Sequence, residues 1–184
     1  MMSRAETLKR LQAASFWMRT LCYVVVGVLA GTAVFIILTA GLKTVKRFAQ
    51  NYPGVIADPS LVTMPAIILV TLLGLVTVAI AAAAFLALAR MFDQFAKGRL
   101  LDGEASQQLR LAGKLFCASA LWSTVAHTLN VLALSSFNPP GERQLAIAVS
   151  FDQVFPLALA GVLYAVGHVL SLAIALDRET KEFI

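Results

Sequence analysis

Four long apolar runs, parted by short polar stretches, decide what this chain can become. They cover residues 16–42, 62–89, 111–134 and 154–176. Each exceeds the roughly 20 residues that an α-helix needs to cross a hydrocarbon core about 30 Å thick. Lipid offers the backbone no hydrogen-bond partner, so a spanning segment must close its own bonds as a helix or join a closed barrel. A barrel needs apolar and polar residues in alternation, and Ile67–Val70 and Ile80–Leu88 show none. The expected architecture is an all-α integral membrane four-helix bundle, with residues 1–184 forming a single membrane domain. Composition agrees: hydrophobic residues make up 59% of the chain and charged residues 14%, too few charges for an ordinary soluble surface.

The lysines and arginines set the expected orientation. Eleven of the 15 fall in the N-terminal segment (Arg4, Lys9, Arg10, Arg19), around the central link (Arg90, Lys97, Arg99, Arg110, Lys114) and in the C-terminal tail (Arg178, Lys181). Lys43, Lys46, Arg47 and Arg143 lie on the other side. The positive-inside rule therefore places both termini and the link 90–110 in the cytoplasm. The net charge of +5 is spread around span ends, where it meets anionic headgroups of the lipid bilayer. No dense basic stripe with interleaved aromatics tracks a phosphate backbone, so nucleic acid is not an expected partner. Cys22 and Cys117 fall inside spans and read as small apolar residues rather than a disulfide. Val28-Leu29-Ala30 imitates a signal cleavage site, but the apolar stretch runs on to Leu42, so an uncleaved first span is expected.

Local signals divide the chain further. Leu8, Leu11 and Ala14 recur at helical spacing in the polar arm 1–15, which either extends the first span or lies on the membrane surface. Gly27 and Gly31 form a G-x-x-x-G pair, which either lets a second helix approach or reflects the frequency of glycine in membrane helices. Asp58 or Thr63 caps the second span, with Pro59 or Pro65 in its first turn. Leu88, Phe92 and Phe95 fall on one face of an amphipathic extension that Gly98 stops. Asp102 is placed to cap the third span, and Ser150 with Gln153, or Asp152, to cap the fourth.

Two polar stripes are the sharpest candidates for a site. Ser119, Ser123, His127 and Asn130 share one face of the third span, and Tyr164, His168 and Ser171 share one face of the fourth. Strongly polar residues in lipid normally face the bundle interior, so the stripes either line a pathway or ligand pocket, or bond helices together. Haem ligation by the two histidines is disfavoured by depth. Centring each span on the bilayer leaves them about 10 Å apart along the membrane normal. No H-E-x-x-H, C-x-x-C, G-x-S-x-G or P-loop pattern occurs, and no Asp or Glu lies inside a span. No catalytic, cofactor-binding or metal-binding residue is expected, and no cofactor. The chain reads as a non-enzymatic interaction or regulatory protein. The alternative is a small transporter or channel subunit, working as a homo-oligomer around the stripes.

The central link carries a family likeness. Phe92 through Glu104, followed by Leu109 and Gly113, resembles the DUF2975 family of bacterial membrane proteins. In that family an aromatic and basic segment leads to Gly, an aromatic, a hydroxyl cap and an acidic residue opening the next span. Gly98, Glu104, Leu109 and Gly113 fit, while Leu101 replaces the aromatic and Asp102 the hydroxyl. Val149–Asp152 and the closing Asp177–Ile184 are also similar. The resemblance implies a four-span protein of the bacterial inner (cytoplasmic) membrane and supplies no catalytic residues. Some relatives accompany small helix-turn-helix regulators, in keeping with a regulatory role. The link residues Phe92, Phe95, Lys97, Gly98 and Arg99 are the expected docking surface for a membrane or cytoplasmic protein partner, unless the link merely connects two spans. Reporter fusions test the orientation: a cytoplasmic signal is expected from both termini and from a fusion at Gly103, and a periplasmic signal at Gly103 would overturn it.

Overall fold

The computed structural model describes residues 4–39, 62–98, 103–136 and 154–182. They form four helices: α1 (Arg4–Leu38), α2 (Met64–Ala96), α3 (Gly103–Ser135) and α4 (Val154–Glu182). Each contains a stretch long and apolar enough to cross a membrane. The chain is thus an all-α four-helix membrane protein, as its hydropathy requires. The helices outrun the apolar runs. The polar arm joins α1 as one continuous helix from Arg4, and most of the link 90–110 is helical, as the end of α2 and the start of α3. At about 1.5 Å per residue, the 33 residues of α2 reach about 50 Å, so its charged end around Asp93 projects beyond a core about 30 Å thick.

Helix ends follow local chemistry where they are described. Thr63 is the N-cap of α2 by backbone, with Pro65 in the first turn, but its hydroxyl makes no capping bond. The Thr63 carbonyl accepts instead from Ala66 N at 3.1 Å and Ile67 N at 3.3 Å. Gly98 ends α2 at φ +76°, the left-handed conformation that glycine adopts without strain. The expected caps Asp58, Asp102 and Asp152 lie outside the described residues.

The helices run up-down-up-down, each packed against its neighbours in sequence: α1 on α2, α2 on α3 and α3 on α4. Contact between α1 and α4 is at most marginal among the described residues, so the bundle is an open row with two inner and two outer helices. Arg19 meets Asp93, Gln94 meets Glu104, and Gly103 neighbours Ile174 and Ala175. These pairs place the start of α1, the end of α2, the start of α3 and the end of α4 together, at what we term the basic end. Ala84, Ala87 and Ala89 of α2 are buried to 2% exposure or less, and such small side chains let helices approach closely on both flanks. Two clusters join α2, α3 and α4. One gathers Ala84, Phe116 and Ala160, with Phe85 edge-on to Phe116 at 5.4 Å. The other gathers Met91, Ala105 and Leu109 with Leu163 and Leu170. The outer helices keep large apolar residues exposed, such as Trp17, Val28, Phe155 and Val169, as lipid-facing surfaces do.

Glycine fixes how α4 sits. A Cβ on Gly113 would lie 2.9 Å from the Ala160 carbonyl oxygen, and one on Gly167 would lie 2.6 Å from Arg110 Cγ. Both contacts give one antiparallel register, in which Lys114 of α3 stands level with Gly161 of α4. The uncharged stretch of α3 begins just after Lys114, whereas that of α4 runs on to Leu176 before Asp177. Fifteen further residues place apolar α4 surface about 22 Å past the level where the charges of α3 begin. Helix α4 is therefore offset toward the basic end. The other glycine pair plays no such part, because Cβ atoms on Gly27 and Gly31 would meet nothing within 4 Å. We expect Gly113→Ala to destabilise the protein by roughly 1–3 kcal/mol through overpacking against backbone, and Gly27→Ala to leave stability unchanged. Thermal unfolding in detergent checks this, and equal midpoints for the two variants would show that α4 does not sit in this register.

Candidate functional site

Two hydroxyls of the polar stripes are satisfied close to home. Ser123 Oγ donates to the Ala120 carbonyl at 2.8 Å, and Ser171 Oγ to the His168 carbonyl at 2.7 Å. Thr71, Thr77 and Thr128 do the same one turn back along their own helices. Such back-bonding lets a hydroxyl sit in a membrane helix without a partner on another helix. Ser119 and His127 are half-buried. Asn130 Oδ1 is buried with no hydrogen bond among the described residues, as is Trp122 Nε1 on the same helix. On α4, Tyr164 and His168 are exposed and stack edge-on at 4.7 Å.

The stripes do not converge. In the register set by Gly113 and Gly167, His168 is level with Gln107, and His127 lies twenty residues, about 30 Å, further along α3. That is some three times the offset expected from centring each span on the bilayer, and the displacement of α4 accounts for it. Ser119 and Tyr164, the nearest members, still differ in level by about 12 Å. No group of three or more His, Cys, Asp or Glu side chains able to hold a metal occurs among the described residues. Cys22 and Cys117 are free thiols on different helices.

The link residues divide. Phe92 and Phe95 are half-buried and pack, with Leu88, against the Met91, Ala105 and Leu109 cluster, so their stripe joins α2 to α3. Lys97 and Gly98 are exposed at the end of α2, and Arg99 lies outside the described residues. Gly98 faces the N-terminal part of α1, where a Cβ would stand 3.2 Å from Gln12 Nε2.

The strongest electrostatic feature lies here, and the spacing of polar residues gives little sign of it. Arg19 of α1 donates from Nη1 to Asp93 Oδ1 at 2.7 Å, and Lys97 donates to Asp93 Oδ2 from the next turn. Arg19 also lies 5.0 Å from the centre of the Phe16 ring. The sequence signal is a lone carboxylate amid bases: Asp93 is the only acidic residue between Asp58 and Asp102, which reads equally well as a solvated charge. The bonds from Lys97 and then Arg19 hold the Asp93 carboxyl below its ordinary 3.8, against a weaker opposing effect of burial. The folded-state value is the lower one, so the stabilisation is complete above the ordinary carboxylate range and is lost as pH falls through the folded value.

Comparison of the chain with known proteins finds no matching family model, no matching curated protein and no matching solved structure. The site is thus read from its residues. Asp93→Asn should cost about 1 kcal/mol at neutral pH, as a partly exposed pair does. Its deficit against the parent protein should shrink as acid protonates Asp93, and Arg19→Gln, which leaves the Lys97 bond in place, should cost less. Chemical unfolding across pH measures both, and a deficit that does not change with pH would show that the ion pair contributes nothing.

Proposed function

We propose that this is a non-enzymatic multi-pass protein of the bacterial inner membrane, with both termini cytoplasmic, that works by presenting helix faces to protein partners. The observation that carries this reading is the open row. Four helices that, among the described residues, pack chiefly on sequence neighbours leave the outer faces of α1 and α4 for interaction, and they bring the two polar stripes to no common level. Hydroxyls bonded to their own backbones leave fewer free polar groups for a pathway. The likeness of residues 92–113 to the DUF2975 family supports the same reading, and the basic bias of the link supports the orientation. A docking role for the link rests on Lys97, Gly98 and Arg99 rather than on the two packed phenylalanines.

Position 123 separates this reading from a transporter or channel subunit. With Cys22 and Cys117 replaced by Ala, Ser123→Cys in native membranes should react slowly with an aqueous thiol reagent. Rapid labelling would reveal a water-filled pathway and overturn the proposal. A photo-crosslinker at Val28, exposed on α1, should capture a protein, and capture of lipid alone would count against an interaction role for that face.

A further inference from the structure

The seam between α3 and α4 is open along one side, and two depressions follow each other there. Nearer the basic end is a polar one of about 420 Å³, lined among others by Ser106, Gln107, Arg110 and Ser171. Beyond it, toward the far end of the helices, is an apolar one of about 370 Å³, lined by Lys114, Cys117, Leu157, Ala160 and Gly161 among others. Their α3 residues recur along one face of that helix, so the two lie in line along the α3–α4 groove, polar first and apolar beyond. The change falls at Arg110 and Lys114. These are the last charges of α3 before its uncharged stretch, which places them at the boundary between headgroups and hydrocarbon.

Neither cation has an acidic partner among the described residues. Arg110 is half-buried, its stem packed where Gly167 leaves room, and Lys114 is exposed. A guanidinium fixed beside apolar helix surface attracts an anion that brings apolar matter with it. Gly161 keeps the apolar part open, since a Cβ there would meet nothing within 4 Å.

We propose that this groove binds one anionic phospholipid of the bilayer, its phosphate held by Arg110 and Lys114 and one acyl chain laid over Gly161 between Cys117 and Leu157. Ser171 and Gln107 border the headgroup, and Tyr164 lines the wall beside the chain. The proposal needs the membrane-spanning fold but not the interaction role proposed above, so each can fail alone.

Native mass spectrometry of the purified full-length protein tests it, with phosphatidylglycerol and phosphatidylcholine of identical chains as probes. The parent protein should retain phosphatidylglycerol at least tenfold more strongly. Arg110→Gln with Lys114→Gln should abolish that preference, and Gly161→Leu should weaken retention several-fold with every charge intact. Arg90→Gln, which removes an exposed base from α2, should change nothing. Unfolding midpoints equal to the parent's confirm that the variants fold. Equal retention of both lipids, or a loss with Arg90→Gln as large as with the seam variants, would overturn the site. So would displacement of the lipid by inorganic phosphate alone, or a dimer that Gly161→Leu dissociates without altering lipid retention.

Discussion

Lipid cannot hydrogen-bond a peptide group, and every other feature of this protein is arranged around that fact. It makes the four apolar runs helical before any packing is considered. It extends to side chains, since Thr71, Thr77, Ser123 and Ser171 turn back to carbonyls three or four residues earlier. What remains for tertiary structure is the fit between helices. Alanine supplies that fit on α2, and Gly113 and Gly167 supply it on the α3–α4 seam.

How much could be read from the chain depends on which of these forces a residue reports. The runs gave the helix count, and Pro65 and Gly98 marked two helix boundaries, because hydropathy and backbone preference act locally. Partners across the row were hidden. Gly27 and Gly31 carry the better-known spacing, yet they face open space, while Gly113 and Gly167, which meet the neighbouring helix, sit on two different helices. A pair split between helices leaves no periodic trace. Phe92 and Phe95 were legible as an apolar stripe but not as a stripe already covered, since an amphipathic face has the same pattern whether it meets lipid, a partner or the next helix.

The polar stripes show the same limit for the site. Helical spacing placed Ser119, Ser123, His127 and Asn130 on one face, and Tyr164, His168 and Ser171 on another, but periodicity holds no information about axial offset between helices. Depth inferred from each span alone assumes that all spans are centred alike. Helix α4 is not. The Arg19–Asp93–Lys97 group joins α1 to α2 by charge at the end where Phe92 and Phe95 join α2 to α3 by apolar contact.

The displacement of α4 has a bearing on the membrane itself. A bilayer wrapped around this protein meets apolar walls of different height, that of α4 lower than that of α3 by about 22 Å. No flat sheet of uniform thickness satisfies both. Lipids on the α4 side would tilt, thin or dip to cover the exposed Val169, Leu172 and Leu176, unless Arg110 and Lys114 snorkel to bring the two levels closer. The molecule is thereby a local deformer of its own solvent, and the stiffness of the surrounding membrane becomes one of the forces acting on its fold.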